Sequence, residues 1–156
     1  MLSNLLFALS LVVLGDTAAK PPEFLTIVKV KTASMIQGKI GKAVIYAKTN
    51  PPFHIQANPA SAPNLIATQL IIDKTDGLEP KEPLYPEPKT FRLEKSTTDL
   101  AVYEGEFEIT LPVQSTSLMK PNKYELSGKL KFQACDEKKC FFPASLPVVI
   151  PVMVYK

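Results

Sequence analysis

Apolar and polar side chains alternate along most of this chain, in runs too short for helices. Residues 24–31, FLTIVKVK, and 42–49, KAVIYAKT, are rich in β-branched side chains and partly alternate, as half-buried strands do. A Pro- and Asn-studded stretch follows at 50–61 and reads as an irregular loop around a short extended piece, Phe53 to Gln56. Residues 64–72, NLIATQLII, predict a further strand, stopped by the turn-forming DKTDG. The second half is more regular. Residues 100–113, LAVYEGEFEITLPV, set Val102, Glu104, Glu106 and Glu108 against Tyr103, Phe107 and Ile109, with Gly105 at a bulge or edge position. Residues 124–135 place Leu126, Leu130 and Phe132 on one side, and SLPVVIPVMVYK closes the chain as an apolar strand. The two prolines in that last strand belong at a sheet edge or bulge, because proline cannot donate to a ladder. No window sustains a helical period and no repeat is visible. About eight short strands separated by turn signals predict one all-β domain, an immunoglobulin-like antiparallel β-sandwich over residues 20–156.

Composition sharpens this picture. Fifteen prolines against six glycines exclude a helical protein and favour strands joined by stiff loops. Four of those prolines fall within residues 79–90, EPKEPLYPEPKT, which can be neither helix nor central strand and reads as a stiff exposed loop. With 46% hydrophobic and 21% charged residues, 156 residues suffice for a real core. The net charge of +3 is mild and the lysines are scattered among acidic residues, so no basic stripe for nucleic acid is present. The signatures of serine hydrolases, zinc peptidases, phosphate-binding loops and dinucleotide folds are absent from the sequence.

The amino-terminal residues 1–19 stand apart. Leu5 to Leu14, LLFALSLVVL, is a ten-residue apolar run, short for a bilayer span and suited to the apolar core of a signal peptide. Small residues follow, with cleavage expected after Ala19; an uncleaved anchor is the rival reading. No Lys or Arg precedes the run, which leaves only the terminal amine as positive charge there. Export places the mature chain where disulfides persist.

That matters for KFQACDEKKCFFP, residues 131–143, which holds both cysteines, Cys135 and Cys140. Structural zinc wants four Cys or His ligands, and two Cys with one His cannot close such a site, so no metal is expected. A structural disulfide here closes a loop of six residues, worth only about 2 kcal/mol by chain entropy. A pair so close in sequence can also be exposed and readily reduced. Asp136 and Glu137 raise a neighbouring thiol pKa while Lys138 and Lys139 lower it. The residues alone leave a redox-active pair and a passive staple both open.

The segment FQACDEKKCFFPAS resembles the Tyr-Gln-x-Cys…Cys-Tyr-Pro-Pro stretch of the periplasmic N-terminal domain of the thiol:disulfide interchange protein DsbD. PPFHIQANPASAPNLIATQLII is similar to that family's His-Ile/Leu segment and following strand. LYPEPKTF…VYEGEFEITLPV is similar to its Tyr-Pro loop and Tyr-x-Gly strand. The three patches keep their order from about residue 24 to the end. The spacer between the cysteines is slightly shorter than in the best-known members, and Phe-Phe-Pro stands after Cys140 in place of aromatic-Pro-Pro.

The resemblance implies an immunoglobulin-like sandwich with one working cysteine pair and no cofactor. It implies electrons taken from a thioredoxin-like protein or domain, and so from a membrane electron carrier. They would be delivered to a periplasmic disulfide isomerase or reductase. Cys140 would be the exchanging sulfur and Cys135 the resolving one. An aromatic-tipped loop caps the pair in the family, and the matching stretch here is around Leu84 and Tyr85. With only the N-terminal domain matched, the donor is expected to be a separate protein and the domain to work as a periplasmic monomer. His54, the only histidine, packs beside the sheet on the plainest reading; the resemblance sets it near the cysteines, where an imidazole could tune a thiolate. Of the adjacent Phe141 and Phe142, at most one should be exposed for a partner, since neighbours on a strand point to opposite sides. The rival from another class is an exported binding or accessory module whose disulfide only pins a turn.

Overall fold

The computed structural model describes residues 23–156. The expected signal segment, residues 1–19, lies outside the described residues. Twelve strands run β1 (Leu25–Lys31), β2 (Ala33–Ile36), β3 (Ile40–Thr49), β4 (His54–Gln56), β5 (Gln69–Ile72), β6 (Leu78–Pro80), β7 (Lys89–Phe91), β8 (Leu100–Tyr103), β9 (Glu106–Ser115), β10 (Asn122–Phe132), β11 (Ala134–Cys135) and β12 (Ala144–Tyr155). Among the described residues no helix is long and apolar enough to cross a membrane.

Three four-stranded sheets result, in the orders β1-β3-β9-β6, β2-β12-β10-β5 and β11-β4-β8-β7. The first two are the layers of an immunoglobulin-like sandwich, and alternation decides which side chains meet between them. From β3 and β9 come Ala43, Ile45, Ala47, Ile109, Leu111 and Val113; from β10 and β12 come Leu126, Leu130, Val148, Ile150, Val152 and Val154. All twelve are buried, and together they form one continuous core. At about 25 cal/mol per Å² of apolar surface removed from water, burial of this set is the main force holding the layers together.

The expected strands survive with instructive changes. The run 100–113 is broken at Gly105, whose φ of +73° a residue with a Cβ adopts only at a cost. The break lets β8 pair in the small third sheet while β9 lies at the centre of the first. Residues 64–68, expected as strand, are irregular, and only Gln69–Ile72 pairs with β10. The proline-rich loop carries two short edge strands, β6 and β7. In β12, Pro147 and Pro151 pair with β10 on one side only. The other side acquires a partner at Val152, where β2 joins in parallel. That one parallel pair departs from the purely antiparallel expectation. Four-residue β2 was not foreseen.

The third sheet positions the chemistry. It closes one end of the sandwich, where β10 stops at Phe132 and the chain steps through Gln133 into β11. There β11 pairs with β4, setting Ala134 opposite Ile55 and Cys135 opposite His54.

Candidate functional site: a disulfide at the end of the sandwich

Cys135 and Cys140 are disulfide-bonded, facing each other across a tight turn with Cα atoms 3.9 Å apart. The turn is held independently of the bond. Asp136 N donates to Lys139 O at 2.9 Å, and Asp136 Oδ1 accepts from the backbone N–H groups of Lys138 (2.8 Å) and Lys139 (2.9 Å). Such a local carboxylate cap is why an Asp opens the turn. The two donors hold the Asp136 carboxyl below its ordinary pKa. Past the second cysteine, Phe141 N donates to Ala134 O at 2.8 Å, and Gln133 Nε2 donates to Phe141 O at 3.0 Å.

The two sulfur-bearing residues differ in access. Cys135 is wholly buried, at 0% exposure. Cys140 is half-buried and lines an open cleft of about 450 Å³ with Gln133, Lys139, Phe141, Phe142 and Pro143. Phe141 turns inward, its ring centroid 4.9 Å from that of Phe24 and 5.7 Å from that of Phe53, with the Lys139 ammonium 5.1 Å from its own centroid. Phe142 points out and is 93% exposed.

Behind the bond lies β4, all three residues of which are buried. Gln56 Nε2 donates to Cys135 Sγ at 3.1 Å and stands 3.8 Å from Cys140 Sγ. Nothing in the sequence analysis singled this residue out; the available signal was an amide inside a short extended piece with apolar neighbours. His54 stacks on Phe91 of β7, ring centroids 3.6 Å apart, and its Nε2 is buried without a partner among the described residues. Burial pushes the imidazole pKa down, against the opposing pull of Glu104 and Asp136. His54 thus packs against an aromatic ring and stands opposite Cys135 in the ladder of β4 with β11.

Leu84 and Tyr85 are tied to other strands. The backbone of Leu84 bridges Thr110 of β9, and the Tyr85 hydroxyl accepts from Leu70 N of β5 at 2.9 Å. The connection from β7 to β8 reaches the cysteine turn. Glu94 N donates to Glu137 O, at 2.7 Å, in the cysteine turn itself, and Arg92 clasps Asp99 through Nε (2.7 Å) and a second nitrogen (2.6 Å). No sequence pattern announces that contact, because it joins residues more than forty positions apart.

Solved structures with similar folds share little sequence with this chain. The N-terminal periplasmic domain of ScsB from Proteus mirabilis superposes with a TM-score of 0.52 at 14% identity, over 76% of this chain and 43% of that one. The reduced N-terminal domain of Neisseria meningitidis DsbD gives a TM-score of 0.47 at 14% identity, over 69% of this chain and 74% of that one. No curated protein matches the sequence. The family model described as "Thiol:disulfide interchange protein DsbD, N-terminal" matches residues 37–147, which takes in β4, both cysteines and most of the two main sheets. The chain belongs to the DsbD N-terminal domain family, a thiol-disulfide interchange module built around a cysteine pair.

Proposed function

We propose that this domain carries reducing equivalents in the periplasm through Cys135 and Cys140, from a thioredoxin-like dithiol to a disulfide-bond isomerase or reductase. The observation that carries the reading is the asymmetry of access: Cys140 opens on the cleft and Cys135 does not. A thiolate of the reduced partner attacks Cys140 Sγ, the Cys135–Cys140 bond breaks, and Cys135 leaves as a thiolate that takes up a proton. The partner's second thiolate then attacks its own sulfur in the mixed disulfide and expels Cys140. Two electrons have moved: the partner is now a disulfide and this domain a dithiol. Downstream, Cys140 attacks the acceptor's disulfide and Cys135 resolves the mixed species by the same steps in reverse.

In this reading the connection from β7 to β8, bonded to the cysteine turn through Glu94, shields the pair. Its grip on the cysteine turn through Glu94 is a single backbone bond, which a docking partner can replace. Shielding limits loss of electrons to stray oxidants. Phe142, beside Cys140, is the apolar contact offered to a partner.

The test is trapping. Cys135→Ala should accumulate a mixed disulfide through Cys140 with a single-cysteine thioredoxin-like protein whose thiol carries a thionitrobenzoate group: the Cys140 thiolate attacks the partner's sulfur and thionitrobenzoate leaves. Cys140→Ala should accumulate none. Equal trapping by the two variants, or a wild-type bond that yields only on unfolding, sinks the reading and leaves a binding module with a pinned turn.

A further inference from the structure

Among the described residues the side chain of Gln56 hydrogen-bonds nothing but the two cysteine sulfurs. Its backbone is fully engaged: N donates to Gln133 O at 3.0 Å, and O accepts from Thr68 Oγ1 at 2.6 Å. The side-chain amide is completely buried, at 0% exposure, where an apolar residue would pack without any polar group to satisfy. What it meets there is the disulfide. Nε2 faces both sulfurs, 3.1 Å from Cys135 and 3.8 Å from Cys140, while Oε1 is buried with no partner among the described residues.

That orphaned oxygen depends on redox state. Disulfide sulfurs only accept hydrogen bonds, and weakly, so nothing in the oxidised pair can satisfy Oε1. Reduction breaks the S–S bond with two electrons and two protons, and the pair gains S–H donors. The buried Cys135 thiol can then donate to Oε1, directly or after a half-turn of the terminal amide. When Cys140 gives up its proton, its thiolate is a far better acceptor for Nε2–H than a disulfide sulfur is. One amide thus makes poor contacts in the oxidised state and good ones in the reduced state, and a group can shift an equilibrium only by such a difference.

Building on the exchange reading above, we propose that Gln56 is a further residue of the exchange chemistry, one that touches both reacting sulfurs, favours the dithiol and stabilises the attacking thiolate of Cys140.

The experiment equilibrates wild type, Gln56→Met and Gln56→Leu with dithiothreitol or glutathione buffers and reads the reduced fraction by alkylation. It also follows the pH dependence of Cys140 alkylation in the reduced proteins. We expect both variants to favour the disulfide about tenfold more than wild type does, about 30 mV for a two-electron couple. Half-maximal alkylation of Cys140 should move to higher pH, while the oxidised variants melt no lower than wild type. Gln56→Met, nearly isosteric, remains informative if Gln56→Leu does not fold. A wild type that exchanges beside variants of unchanged potential and alkylation profile overturns the role of Gln56 alone. A wild-type bond that resists reduction until unfolding overturns the exchange reading with it.

Discussion

A protein that works as both dithiol and disulfide has to remain folded in both forms, and the geometry of the turn gives the expected cost of reduction. The bond closes a six-residue loop from Cys135 to Cys140, for which chain entropy supplies about 2 kcal/mol. Three hydrogen bonds involving Asp136 hold the same turn, and the bond from Phe141 N to Ala134 O closes its base; none of them needs the sulfurs to be joined. Against a domain stability of about 5–15 kcal/mol, losing about 2 is affordable. Urea unfolding, followed by far-ultraviolet circular dichroism with and without excess phosphine reductant, reads this directly. With a slope of about 2 kcal/mol per molar, the midpoint should fall by about 1 M and the slope should not change. A loss above about 4 kcal/mol, or a reduced form with a different slope, would mean that the bond organises far more of the structure than its own turn. The reasoning from loop length would then be refuted, and a structural staple would be the better description.

Leu130→Ala removes a fully buried side chain near the C-terminal end of β10, where it lies between Leu70 of β5 and Leu146 of β12. It should cost about 2–5 kcal/mol in the same urea assay, and a loss under about 1 would contradict the core described above. Phe142→Ala should change stability by less than about 0.5 kcal/mol, since the ring is 93% exposed. It should slow exchange with a thioredoxin-like protein yet leave reduction by dithiothreitol untouched, and equal slowing of both would argue against a docking role. Burial holds the His54 imidazole below its ordinary value of 6.5, so on acidification the unfolded chain takes up that proton first. Stability due to this group is therefore complete above about pH 7 and declines as pH falls through 6.5 toward the lowered value. Urea midpoints from about pH 7.5 to 5 should show that decline, and His54→Phe should lessen it; identical profiles for the two proteins would contradict the burial argument.

The parts of the fold legible in the sequence are those whose pattern is local. Strands β3, β9, β10 and β12 each run ten residues or more with alternating burial, and in β10 Leu126, Leu130 and Phe132, set on one side by spacing, are all buried. Strand β2 was invisible because ASMI is four residues long and owes its conformation to β12, far away in sequence. The division at Gly105 was read as a bulge, since alternation continues across it; only the pairing of β8 with β4 and of β9 with β3 shows that the chain changes sheets. The same distinction governs the site. Both cysteines stand in one short segment and declare themselves. Gln56 and Phe91 reach the site through register and a long-range stack, which no window of sequence contains.

The prolines of β12 bear on a different hazard. Among the described residues this strand is hydrogen-bonded on one side only from Ala144 to Pro151, and much of it is exposed, Val149 to 51%. An open, apolar, eight-residue strand edge is a template on which a second copy could zip its own strand and begin an aggregate. Pro147 and Pro151 each lack the N–H that such a newcomer would have to bond, four residues apart along the exposed stretch. The strand that completes the core thereby carries its own protection against self-association.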